Sequence, residues 1–129
     1  MYQNSSSYNC YNHATKNYHE YFRQPGNSNN IIGSCHSLTK NVLEDYPKSK
    51  PVDVTGKCDQ NTFKMCGVMA PFNDFHFYRE DEDGKWTHKI GKDVITDKDA
   101  SGNIIINPLT SNRDYKSVNY KHFCFCISR

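Results

Sequence analysis

The sequence predicts a single α+β domain, with N-terminal helices packed on an antiparallel β-sheet. Apolar residues recur at three-four spacing up to about residue 46, then alternate with period two from about residue 62 to 127. No internal repeat or composition break divides the 129 residues, so residues 9–129 read as one domain behind a loose, polar stretch at 1–8.

The first helix is predicted from Cys10 to Phe22, with Tyr11, Ala14, Tyr18 and Tyr21/Phe22 on its apolar face. Asn9 or Ser7 can cap it by accepting from unpaired N–H groups. Gln24-Pro25-Gly26 ends it, and residues 26–30 read as a loop. A second helix is predicted from about Ile31 to Asp45, lined by Ile31, Cys35, Leu38, Val42 and Leu43 and stopped at Tyr46-Pro47. Residues 47–61 read as an irregular connection. Strands are predicted at Phe63–Ala70, Asp74–Glu80, Lys85–Ile90, Ile104–Ile106 and Val118–Ile127. In the last of these, alternation places Phe123, Phe125 and Ile127 on one face, with Cys124 and Cys126 on the other.

Composition excludes several classes. Sixteen Lys+Arg against fourteen Asp+Glu leave a net charge of +2, interleaved rather than clustered, so no nucleic-acid footprint is present. No stretch approaches the ~20 apolar residues of a membrane span. The N-terminus has no signal-peptide h-region. Six cysteines without a CxxC pair support disulfides over a structural zinc site. No cofactor is expected. Asn4-Ser5-Ser6 matches a glycosylation sequon.

Cys10 stands at the predicted start of the first helix, where the helix dipole and free N–H groups stabilise a thiolate. A thiol nucleophile needs an imidazole in reach and a third group to fix that imidazole's tautomer. His76 fits as base and His88 as orienting residue, with Asn107 in reserve. The two histidines must then share a sheet face. A two-residue Asp83-Gly84 turn would put His76 on the face of Lys89. A three-residue Glu82-Asp83-Gly84 loop sets Tyr78 opposite His88 and aligns His76, Tyr78, Trp86 and His88, with Gly84 left-handed. In that arrangement the Cys10 N–H, with Asn9 or Tyr8, would donate to an oxyanion. Tyr78 and Trp86 would line a substrate groove. The same Cys10, His76 and His88 would also suit an open three-ligand zinc site. His13, His19, His36 and His122 read as surface residues.

The segments Asn-Cys-Tyr-x-x-Ala at 9–14, Gln-Pro-Gly at 24–26, His-Phe-Tyr-Arg at 76–79, Asp-Gly-Lys-Trp-Thr-His-Lys at 83–89 and Asp-Ala-Ser-Gly…Ile-Asn-Pro at 99–108 occur in this order. Together they resemble a family of small proteins with an NCYxYA start and a DGxWSHKxG hairpin, some of which are called insoluble matrix shell proteins. This chain has His13 where that family often has Tyr, and Thr87 where it often has Ser. The order Cys, His, His also resembles the papain-like NlpC and CHAP amidases. That resemblance implies a papain-like thiol hydrolase or transferase acting on an amide bond in a peptide or cell-wall peptide. The alternative is a catalytically silent, extracellular or surface-associated structural protein that self-assembles through disulfides, favoured by the C-terminal HFCFCISR. Residues two apart on a strand lie near the upper limit for a disulfide, so Cys124 and Cys126 should pair elsewhere, in this chain or another.

Overall fold

The structure is a computed structural model that describes residues 9–18, 24–27, 32–58, 60–90 and 94–129. The sequon, Tyr8, His19, Tyr21/Phe22 and Ile31 lie outside these residues.

Two helices and six strands form the described fold. Helix α1 spans Cys10–Thr15 and α2 spans Cys35–Asp45, with a 3₁₀ turn at Pro25–Asn27 between them. The strands are β1 (Lys50–Pro51), β2 (Lys64–Ala70), β3 (Asp74–Glu80), β4 (Trp86–Lys89), β5 (Ile95–Thr96) and β6 (His122–Ser128). They form one antiparallel sheet in the order β1-β6-β2-β3-β4-β5. The α+β class is therefore as the periodicity indicates.

Helix α1 is shorter than its apolar spacing suggests. Lys16 adopts a left-handed conformation (φ 57°) and its N–H closes the last turn. Tyr18 lies beyond the helix end. At the other end Asn9 and Asn12 cap reciprocally, each side-chain oxygen accepting from the other's backbone N–H at 3.0 Å. Helix α2 starts four residues later than predicted because the Ser34 hydroxyl accepts from the Ser37 N–H and sets the boundary.

The sheet has a core on each face. On the helix side Tyr11, Ala14, Leu38 and Val42 pack on Met65, Met69, Phe77 and Ile127. On the other side Cys66, Val68, Tyr78, Trp86 and Cys126 are covered by Ile105 and Tyr120 from the 97–120 segment. Strand β2 is buried along its whole length, as its apolar run predicts. Gly67 sits under Phe125, whose ring would lie 2.4 Å from any added Cβ. The β3–β4 hairpin has the three-residue loop. Arg79 faces Thr87, Glu80 faces Trp86, and Gly84 has φ 83°.

Four expectations are corrected. The 47–61 connection contains β1, a two-residue strand at the edge of the described sheet, a position that tolerates Pro51. Ile104–Ile106 is no strand: only Ile104 bridges, to Lys98, and Ile106 is 85% exposed. The last strand begins at His122. A bulge also breaks its alternation: Gly67 faces Phe125 but Val68 faces Phe123, so Cys124 is skipped. Cys124 therefore turns to the helix side and Cys126 to the opposite side, while Phe123 leaves the face of Phe125 and Ile127.

The bulge determines the disulfides. Cys124 bonds Cys35 in the first turn of α2, across a separation of 89 residues. Cys126 bonds Cys66, directly opposite on β2, across 60. Both are within the chain. Cys10 and Cys58 are the free thiols.

Candidate functional site

His76 and His88 meet as the three-residue loop requires. His76 Nε2 lies 2.7 Å from His88 Nδ1, and His88 Nε2 lies 2.8 Å from the Lys98 carbonyl. These contacts assign the protons. A carbonyl only accepts, so His88 Nε2 carries hydrogen. Burial lowers the pKa of both rings, His76 well below its ordinary value, so both are neutral at pH 7. Neutral His88 then accepts at Nδ1, and His76 donates from Nε2. The chain of bonds leaves His76 Nδ1 as the remaining acceptor, with no hydrogen-bond partner among the described residues.

Aromatic rings enclose this pair. Tyr78 lies 5.2 Å from His76 and 4.8 Å from His88, centroid to centroid. Tyr120 stacks on His76 at 5.3 Å, and its hydroxyl donates to Asp74 at 2.7 Å. Tyr78 and Trp86 are wholly within the core. Asn107 lies in a turn, where its side chain accepts from the Leu109 N–H. Asp74 and Tyr120 had no sequence signal; only the tertiary fold brings the 113–120 segment over β3.

Cys10 stands at the first position of α1, as the helix pattern predicts, and its thiol is free of any disulfide. It packs against the helix-side core, with the Phe77 backbone N–H and the Asp74 carboxylate close to its thiol. No hydrogen bond joins Cys10 to His76 among the described contacts. The electrostatics run against activation. Burial, with the Asp74 carboxylate adding to it, pushes the thiol up to about 12. Backbone N–H groups of Phe77, Tyr11 and Cys10 itself pull in the other direction and are outweighed. Asn9 uses its side-chain oxygen for the helix cap.

A second buried network lies beside the first, and His13 belongs to it. His13 was expected at the surface, but it is 1% exposed. Thr87 donates to Asp81 at 3.0 Å and so accepts from His13 Nε2 at 3.0 Å. Arg79 closes the ring, donating to Asp81 (2.7 Å) and to the His13 carbonyl (2.6 Å). Burial, then the Arg79 charge, lowers the His13 pKa to about 3. The two departures from the family pattern, His13 and Thr87, thus touch one another. Their contact ties α1 to the β3–β4 hairpin. Residues of the HFYR and DGKWTHK segments here hold the fold together.

Among the described residues no group of three or more His, Cys, Asp or Glu is arranged to hold a metal ion. No described helix is long and apolar enough to cross a membrane.

The chain is similar to insoluble matrix shell protein 1 of Ruditapes philippinarum, with 32% identity over 111 residues. The match takes in 81% of this chain and 70% of that protein. No family model matches the chain, and no solved structure does.

Proposed function

The chain belongs to the family of insoluble matrix shell protein 1, and on that premise we propose that it is a secreted structural protein that assembles into an extracellular matrix. The relative carries the reading. Two disulfides that staple both faces of the sheet support it, since such bonds persist in oxidising compartments outside the cell. Four of the six cysteines are engaged within the chain. Cys58, half-buried in the 52–61 connection, is then the thiol open to a bridge between chains. Sedimentation of the oxidised protein over a hundredfold concentration range tests the proposal. Growth of high-mass species with concentration is expected, and loss of only their covalently linked fraction in Cys58→Ser. A monomer at every concentration overturns it.

The histidine relay favours a second reading, a papain-like hydrolase or transferase. In it Cys10 would give its proton to His76 Nδ1 while the sulfur bonds to an amide carbonyl carbon. The amine would leave with that proton, and water would then release the thioester. His88 and Lys98 hold the base in the one tautomer this step needs. Iodoacetamide separates the two readings, because the thiolate is the reacting species. With the thiol near 12, Cys10 in a Cys58→Ser background should stay unmodified at pH 6, with labelling rising about tenfold per pH unit above that. Rapid labelling at pH 6 that disappears in His76→Ala would establish the hydrolase instead.

A further inference from the structure

A groove of about 560 Å³ opens where the end of α2 meets β1 and the end of β6. Tyr46 and Pro47 form an apolar wall, Lys48, Lys50 and Arg129 supply cations, and Gln60 adds an amide.

Arg129 is held in place, with no ion pair among the described residues. Its backbone exchanges hydrogen bonds with Phe63, at 2.7 and 3.2 Å. Its guanidinium lies 3.8 Å above the Tyr46 ring, which fixes the plane of the fork. Among the described residues the guanidinium has no hydrogen-bond or ion-pair partner, and its Nε is enclosed without an acceptor. An enclosed charged donor with nothing to bind is costly, and an anion removes that cost. Lys48 is exposed at the rim and also has no ion pair among the described residues. Among the described residues Asp45 is the one acidic side chain in the lining, and its Oδ2 faces into the fold, accepting from the Tyr11 hydroxyl at 2.6 Å and the Gly26 N–H at 2.9 Å.

We propose that this groove binds a carboxylate-bearing organic ligand the size of one or two amino-acid residues, its carboxylate held by Arg129 and Lys48. The planar fork matches a carboxylate through paired N–H donors. The volume exceeds that of a bare ion and lies within the range of small-molecule sites. The Tyr46–Pro47 wall suits an organic body, and a few cations suit one or two negative charges rather than a polyanion. The carboxylate comes from a free organic acid or from a side chain of an acidic peptide.

The test is an NMR titration of the intact chain that follows the Ser49, Lys50 and Ser128 amides. The probes are N-acetylglutamate, the peptide acetyl-Glu-Glu-Glu-amide and inorganic phosphate. Saturable shifts are expected with a carboxylate probe, and weaker ones with phosphate. Arg129→Gln and Lys48→Gln should each weaken binding about tenfold or more. Arg129→Lys should recover only part of the loss, since a point charge lacks the fork. Tighter binding of N-acetylglutamate assigns a free acid, and tighter binding of the peptide assigns a protein partner. Lys48 is exposed, so its variant keeps the fold if Arg129→Gln does not. Absence of shifts, equal affinity for phosphate, or unchanged affinity in Lys48→Gln overturns the proposal.

Discussion

Stability is expected to fall steeply as the pH drops below about 6.5, well before most carboxylates are protonated. The cause is three histidines buried in the neutral form. In the unfolded chain each has a pKa near 6.5 and takes up a proton below it. In the fold His13 titrates at about 3, held down by burial and then by the nearby Arg79 charge. His76 and His88 are lowered too, chiefly by burial. The unfolded state therefore binds more protons than the folded state, and stability rises with pH across that window. His13 alone accounts for about 1.4 kcal/mol per pH unit between roughly pH 6 and pH 3. A domain of this size is stable by only about 5–15 kcal/mol, so that loss is large even before the other two histidines add to it. Urea midpoints at pH 7, 6, 5 and 4 read the effect directly. They should fall with each step, and His13→Gln should flatten the slope by close to one proton. A midpoint that stays constant from pH 7 to 5 would mean that these rings are charged inside the fold, and the proton assignment of the relay would fail with it.

That assignment was partly legible in the sequence. The Glu82-Asp83-Gly84 loop has a glycine where a left-handed residue is needed, and this fixes which residues of β3 and β4 share a face. His76 and His88 follow at once. The partner of the pair did not follow. Cys10 is placed by α1, and whether α1 points its first turn at His76 or at the core beneath β3 depends on helix–sheet packing. His13 misled for a related reason. A polar residue among helix residues reads as exposed, but Arg79, Asp81 and Thr87 supply a buried polar surface that only the folded hairpin creates. The cysteines near the C-terminus show the limit most clearly. Strict alternation puts Cys124 and Cys126 on one face. One skipped residue puts them on opposite faces, because the side-chain period of a strand is two. Nothing in HFCFCIS marks the bulge. The short edge strands β1 and β5, two residues each, are below any length at which period two can be counted. The Ile104–Ile106 run failed in the opposite way: it has strand composition, but only Ile105 finds a core.

The separated cysteines lead to the other large effect expected of this molecule. Replacing Cys35 and Cys124 together by alanine should cost about 4 kcal/mol, and so should replacing Cys66 and Cys126. Each bond closes a long loop, 89 and 60 residues, and so removes many conformations from the unfolded chain. The dependence on length is logarithmic, so the two costs should differ by only a few tenths of a kcal/mol if chain entropy dominates. The melting point should fall by roughly 10–20 °C for either pair. Their positions differ in a way that makes the comparison informative. Cys66 and Cys126 join strands already paired along their length, whereas Cys35 and Cys124 join α2 to the sheet, and α2 offers only Leu38 and Val42 as fully buried side chains. A much larger loss for the α2 pair would show that the helix depends on its covalent bond to stay docked. Equal losses would show that packing holds α2 and that the bonds act on the unfolded state. Losses under about 1 kcal/mol for both would sink the view that these bonds stabilise a chain with only 36% hydrophobic residues. Chevron-quality urea data on the three double and quadruple variants, collected without reductant, decide among these outcomes. The extracellular role proposed above would gain most from bonds of this kind, because they act continuously and need no partner.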